Sequence, residues 1–433
     1  MDKQLLTKVL AEWLEERVLP DVISRDISVP EPRPTSGITA IVGPRRAGKT
    51  FFMYQIMQNW IARGAAKKED ILFVDFEDYR LSGFRSADFD DLLAAFVELT
   101  QHRPRFLFLD EIQHVPGWNR LLRTLHNQTT YTIVISGSNS NLLSEEISTE
   151  LRGRYRDIVI LPFSFHEWLR WHNIAYAPVQ RHTATRGRWI AAFDRFIKEG
   201  GYPEVLRAGT AIEKRQILQT YYQTIFYKDI VERYRIKARA TLQQMMTYCL
   251  NTYAELFSIS AFEKVVKQSG SPASKRTISN YLTYLQEAFF LITHEKFSYS
   301  PKQRLMNPKK SYLLDTGFAA LATDFTENRG KLLENVVAIE LRRRRWESFY
   351  FKGHHECDFI TKPIGRPGMA IQVTWDMGPR NEEREWKGLL EAMQTLRLKE
   401  GVILTHHQES TLLREGKRIR LIPVWAWCLE GHH

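Results

Sequence analysis

Gly43-Pro44-Arg45-Arg46-Ala47-Gly48-Lys49-Thr50 fits the spacing G-x-x-x-x-G-K-[ST] at every fixed position. An apolar, β-branched run at 38–42 precedes it and a helix-like run at 51–62 follows. Strand, glycine loop and helix start, in that order, build a pocket for phosphate. Successive backbone N–H groups turn inward, and the helix N-terminus adds its positive end. Lys49 can then reach the β- and γ-phosphates of a nucleotide, and Thr50 can offer its hydroxyl to Mg²⁺. Gly43 and Gly48 stand where the backbone needs angles or close approaches that a Cβ obstructs.

Working outward, strands are expected at 71–76, 105–109, 131–135 and 157–161. Helices are expected at 87–100 and 118–127, with a short one near 141–147. This alternation implies parallel βαβ units with helices on both faces. Phe106-Leu107-Phe108-Leu109-Asp110-Glu111 is an apolar strand ending in two acids, at the edge where such sheets bind ligands. Asp110 is expected to hold Mg²⁺ through its water shell, and Glu111 to polarise an attacking water. The next strand runs into Ser136-Gly137-Ser138-Asn139-Ser140, where Ser138, or failing that Asn139, would lie between γ-phosphate and water. The plainer reading is a loop of turn formers. Leu151-Arg152-Gly153-Arg154 offers a guanidinium to a neighbouring subunit's γ-phosphate, Arg154 before Arg152; the plainer reading is a surface arginine pair.

The chain has 433 residues, which implies two to four domains, and its 43% hydrophobic content suffices for real cores. No run approaches 18 uninterrupted apolar residues, so no transmembrane helix is expected. The cysteines, Cys249, Cys357 and Cys428, have no framework or metal-like spacing and suit a reducing, cytoplasmic setting. A formal charge of +11 makes an anionic partner, nucleic acid first, the one to consider.

Residues 2–19 read as an amphipathic helix ahead of a proline-rich connector. From 166 to 256 the pattern is helical, with a long candidate at 221–234. Residues 257–320 read as two helices and a two-stranded ribbon, the shape of a winged helix-turn-helix. Its second helix opens on Lys275 and Arg276, with Thr277, Ser279 and Asn280 behind them, types that suit phosphate and base-edge contacts. Lys302, Arg304, Lys309 and Lys310 are placed on the ribbon as further DNA contacts. The plainer reading is a packing module. The run Arg342 to Arg345 fans around its helix and reads as a solvated face. The tail, 325–429, is α/β again.

The phosphate loop, Leu109-Asp110-Glu111-Ile112-Gln113, the Ser-Gly-Ser tip, Leu-Arg-Gly-Arg, Leu161-Pro162-Phe163-Ser164-Phe165 with Glu167, and Gly200-Gly201-Tyr202-Pro203 occur in order. Together they resemble the prokaryotic AAA-type ATPases that carry a C-terminal domain of unknown function. The resemblance covers nearly the whole chain. It implies an α/β P-loop core (1–165), a helical lid (166–256), a winged helix (257–320) and a nuclease-like tail (325–429).

The tail's order is similar to the PD-(D/E)xK nucleases, where a helix Glu and two strand acids bind metal and a lysine follows the last acid. The matching positions here are Glu334, Asp358, Gln372 and Thr374. An amide replaces one acid and a hydroxyl replaces the lysine, so the expectation is a degenerate, non-catalytic module. Lys352 or Lys362 is the alternative source of the cation. His354-His355-Glu356-Cys357-Asp358 reads as a solvated turn, because contiguous ligands on a strand alternate faces.

The leading functional reading is an ATPase, with ATP and Mg²⁺ as ligands, whose turnover drives change in the C-terminal half. The alternative is a nucleotide-gated DNA- or protein-binding regulator with little turnover; a third reading is an ATP-dependent nuclease. DNA or another protein is the candidate partner, with no membrane. A homo-oligomer is suggested only by the arginines near 154 and by the resemblance.

Overall fold

The computed structural model describes residues 1–433 except 17, 34–36, 138–154, 184, 272, 324–327, 363–367, 380 and 431–433. Two compact units divide the chain, Met1–Leu161 and Pro162–His433.

The first unit is a five-stranded parallel sheet. Its strands are β1 (Ile38–Val42), β2 (Ile71–Asp75), β3 (Phe106–Asp110), β4 (Thr132–Gly137) and β5 (Tyr155–Val159). They lie in the order β2-β3-β4-β1-β5. Alternation along each strand feeds two separate cores. Ala40, Val42, Leu72, Val74, Leu107, Leu109, Ile133 and Ile135 face one side, where the Phe89–Thr100 and Trp118–Asn127 helices pack. Ile41, Phe73, Phe108 and Val134 face the other, against Phe52, Ile56 and Trp60 of the Lys49–Ala62 helix. The N-terminal helix is shorter than its pattern: it is α-helical over Lys3–Ala11 and continues as a π-type turn over Glu12–Glu16. Leu6 and Leu10 join the first core and Trp13 the second. The helix expected near 141–147 lies outside the described residues.

The second unit opens with helices. Ser164 and Glu167 cap each other's backbone at the start of Phe165–Trp171. The Asp315 carboxylate accepts from Gly201 N at 2.7 Å and from Gly317 N at 2.9 Å. The first phrase therefore caps a helix, and Gly201 of the second is fixed by a carboxylate 114 residues further on. The long helix expected at 221–234 is instead Ala211–Thr224 running into a π-helix, Ile225–Glu232.

Beyond it lie β6 (Glu255–Phe257), the helices Ile259–Gln268 and Lys275–Glu287, and the antiparallel pair β7 (Leu291–Lys296) and β8 (Lys309–Leu313). The tail adds the helix Arg329–Arg343, β9 (Glu347–Lys352), β10 (Glu356–Lys362) and β11 (Met369–Val373). The helix Glu382–Thr395, β12 (Glu400–Thr405), β13 (Ser410–Arg414), β14 (Lys417–Pro423) and the helix Val424–Leu429 follow. All nine strands form one sheet, because β7 pairs in parallel with β9 through Glu295↔Phe349 and Lys296↔Tyr350. The ribbon therefore shares its sheet with the tail. Lys302 and Arg304 do not lie on the ribbon strands as expected. They sit on a short helix, Pro301–Met306, inside the β7–β8 connection, which the proline at its first turn favours.

Candidate functional site

The loop after β1 carries its backbone in three unusual conformations: Gly43 at φ +154°, Arg46 at +62° and Gly48 at +94°. At Gly43 a Cβ would lie 2.0 Å from the Ile160 carbonyl oxygen, so nothing larger fits. Lys49 opens the following helix and is only 4% exposed. Its ammonium donates to the Pro44 carbonyl at 3.2 Å and lies 3.3 Å from Glu111 Oε1.

The adjacent acids part where the strand ends. Asp110 ends β3, and Glu111 leaves the strand at φ +49°. The Thr50 hydroxyl donates to Asp110 Oδ2 at 2.6 Å. Ser136, near the end of β4, donates its hydroxyl to Asp110 Oδ1 and accepts from Glu111 N at 3.0 Å. Burial pushes the Asp110 carboxyl up to about 6, against the pull of the Ser136 and Thr50 hydrogen bonds. A bound cation would reverse that balance and hold it ionised. The Gln113 side-chain amide donates to Glu111 Oε2. Glu77, Glu111 and His114 also offer ligand atoms within 4.8 Å of one another, but Glu77 and His114 are exposed and Glu111 already faces Lys49.

The structure thus brings together Gly43 to Thr50, Asp110 and Glu111. Ser138, Asn139, Arg152 and Arg154 lie outside the described residues. Sequence reasoning passed over Ser136 in favour of Ser138; the parallel register of β3 and β4 sets Ser136 beside Asp110, and register is invisible in one strand. It also missed Arg25, which is 6% exposed. The Arg25 guanidinium donates to the Ala47 carbonyl at 2.9 Å and to the Leu161 carbonyl, while its backbone N–H donates to Gln55 Oε1 at 2.8 Å. It braces the phosphate loop from the connector. Replacing Arg25 with alanine strands buried carbonyls, a local cost of about 1–3 kcal/mol. The expected result is a several-fold rise in the nucleotide Kd by calorimetry, partly restored by lysine; an unchanged Kd would remove Arg25 from the site.

Elsewhere, Lys275 and Arg276 are exposed in the first turn of their helix, which Ser274 caps. Lys302 is exposed, and the Arg304 guanidinium lies 5.8 Å from the Phe349 ring centre. Lys310 is a correction: it points inward, 4% exposed, among acids. Arg343 and Arg344 are committed as well. Arg343 donates to Pro162 O at 2.7 Å, and Arg344 to Glu340 at 2.8 Å and Trp427 O at 2.6 Å. The backbone N–H groups of His354 and His355 donate to Glu391 in the turn before β10, but Glu356, Cys357 and Asp358, expected in the same solvated turn, lie on β10, with Cys357 and Asp358 buried.

Among the expected nuclease-like residues, Glu334 and Asp358 converge. Gln372 Oε1 accepts from Asp358 N at 3.3 Å, and Gln372 Nε2 donates to Glu385 Oε2 at 2.6 Å. Thr374 turns aside to Asp376 O and Asn381.

Residues 35–169 match the family model described as an AAA domain, so this segment is an AAA-type P-loop domain with a parallel-sheet core. Residues 190–329 match one described as a domain of unknown function, DUF8612. The chain belongs to the same family as the uncharacterized protein MJ1544 of Methanocaldococcus jannaschii. The two are 33% identical over 442 residues, covering 99% of this chain and 96% of that protein. A protein of Haemophilus influenzae is 29% identical over 400 residues, covering 92% and 95%. Among solved structures, the Walker-type ATPase paby2304 of Pyrococcus abyssi is similar at 14% identity, covering 74% of this chain and 95% of that one, with a TM-score of 0.39. No described helix is long and apolar enough to cross a membrane.

Proposed function

We propose that this protein is a magnesium-dependent ATPase. The carrying observation is the grouping of four chemistries in one buried site: a phosphate-reaching ammonium (Lys49), a metal hydroxyl (Thr50), a metal carboxylate (Asp110) and a base (Glu111). Backbone N–H groups of Arg45, Arg46, Ala47 and Gly48 would wrap the phosphates, while Gly43 and Pro44, which has no N–H to give, shape the turn. Thr50 and Asp110 would hold Mg²⁺, whose charge offsets that of the phosphate oxygens. The donor set, hydroxyl and carboxylate oxygen, suits that hard cation. Lys49 and Glu111 neutralise each other across 3.3 Å. Phosphate oxygens compete for the same ammonium, so Lys49's transfer to them frees Glu111 to accept a proton from water. Ser138 is proposed to orient that water, and Arg154 to reach the γ-phosphate of a neighbouring copy.

Calorimetry with ATP and Mg²⁺ tests the reading at its base. Wild type is expected to bind, and Lys49→Ala to lose at least about tenfold in affinity, the worth of one charge-assisted phosphate contact. A folded wild type with no affinity for ATP would end the proposal.

We further propose that nucleotide state is coupled to the C-terminal half, where DNA is the partner. Support comes from the exposed Lys275 and Arg276 at the first turn of Lys275–Glu287, beside the β7–β8 ribbon. Contacts of that kind weaken steeply with salt.

A further inference from the structure

Lys310 leaves β8 for the interior of the second unit, where three carboxylates from two other elements meet it. Its ammonium lies 2.7 Å from Glu334 Oε1, 3.0 Å from Glu356 Oε1 and 2.9 Å from Asp358 Oδ1. An ammonium has three N–H donors, and here there is one acceptor for each. Other atoms of the cluster have partners too. The Tyr312 hydroxyl donates to Glu334 Oε1 at 2.6 Å, Lys352 to Glu356 Oε2 at 3.0 Å, and Val373 N to Asp358 Oδ2 at 2.9 Å.

We infer that Lys310 is the resident cation of the tail's acidic centre, holding the place between Glu334 and Asp358 that a divalent metal would take in a nuclease-like fold. The inference borrows from the nuclease-like reading of the tail only the expectation of a metal at these acids.

The residues present do not fit a metal. A cation contacting Glu334 and Asp358 would have to displace an ammonium already within hydrogen-bond distance of both. Gln372, the next ligand by position, spends its amide in two directions, accepting from Asp358 N and donating to Glu385. A glutamate at 372 would set its carboxylate against that of Glu385, so the amide is what this site accepts. The second Asp358 oxygen belongs to a backbone N–H. Mg²⁺ demands near-octahedral oxygen ligands and dehydrates reluctantly, and with the Lys310 ammonium seated on Glu334 Oε1 and Asp358 Oδ1 those oxygens are not offered to it.

Burial alone would strip a proton from an isolated lysine, but Asp358, Glu334 and Glu356 hold the Lys310 pKa well above its ordinary value. The consequence is a metal-independent tail in which one side chain ties the β7–β8 ribbon to the Arg329–Arg343 helix and to β10. The lysine missing after the third nuclease position is supplied from another strand, and it sits at the centre of the acids instead of beside them.

Mn²⁺ alone, without nucleotide, is the probe, read by calorimetry and by thermal unfolding of the full chain. Wild type, Asp358→Asn and Glu356→Gln are expected to take up equal Mn²⁺, since the AAA domain contributes equally to all three. Lys310→Ala is expected to gain one site and a Mn²⁺-dependent rise in melting temperature that wild type lacks. Lys310→Ala/Glu356→Gln, which buries less uncompensated charge and keeps Glu334 and Asp358, is measured alongside in case the single variant does not fold. Mn²⁺-dependent folding of either variant supports the inference. A wild-type site that Asp358→Asn or Glu356→Gln removes, or no gain of Mn²⁺ in both Lys310 variants, overturns it. Phosphate release enters no arm, so a failure here leaves the ATPase proposal standing.

Discussion

Glu111→Gln is expected to cut phosphate release by about 10²-fold or more while ATP affinity stays the same or rises. General-base catalysis contributes about 10²–10⁴-fold, and an amide of the same shape cannot take the proton. The position itself should hold. Its backbone is pinned by Ser136 at 3.0 Å, and Gln113 can still donate to the amide oxygen that replaces Glu111 Oε2. Affinity should not fall, because the substitution removes the carboxylate 3.3 Å from Lys49 and leaves that ammonium free for phosphate. Phosphate release under saturating ATP and Mg²⁺, read beside calorimetric binding, separates the two effects. Equal release rates would take the base role from Glu111. A parallel loss of affinity would mean that the residue serves structure.

The second large effect is expected at Gly43. An alanine methyl there would lie 2.0 Å from the Ile160 carbonyl oxygen and 3.0 Å from its carbon. Both are backbone atoms, so no rotamer change relieves the overlap. The Ile160 N–H donates to Val42 O at 2.7 Å, which locks the two segments at this spacing. A φ of +154° adds strain for any L residue. Forced overpacking of this kind costs about 1–3 kcal/mol and sometimes more. We expect the upper end, with at least a tenfold loss of ATP affinity as the loop is pushed from its amide-inward form. Gly64→Ala is the control. It too has positive φ, at +69°, but no atom lies within 4 Å of its added Cβ. Its cost should be backbone strain alone, about 1–2 kcal/mol, with nucleotide affinity unchanged. A Gly43→Ala variant as stable and as tight-binding as Gly64→Ala would refute the crowding argument.

Much of the AAA domain was legible because its signals are local. An apolar strand, a glycine loop with fixed spacing and a helix start are all read from neighbours in the chain. The helix-like run at 51–62 lies within the observed Lys49–Ala62, and the helix expected at 118–127 matches Trp118–Asn127. Asp110 and Glu111 could be placed at the sheet's edge because a buried strand ending in two acids has few other uses. Ser136 and Arg25 were not legible. One depends on the register of two parallel strands, and the other on where a proline-rich connector crosses the fold. The ribbon's continuity with the tail was hidden as well, since the β7–β9 pairing joins segments about fifty residues apart.

The amino-acid sequence by itself determined the phosphate loop, the acids that face it and the alternation that yields a parallel sheet. Those features follow from short-range spacing, which the backbone's periodicities translate directly into geometry. Only the tertiary structure decided what Lys310 does. Taken alone it is one basic residue on a ribbon, indistinguishable from Lys309 beside it. Its character comes from Glu334, Glu356 and Asp358, brought to within 3.0 Å from elements 24 to 48 positions away, and no local pattern encodes that meeting.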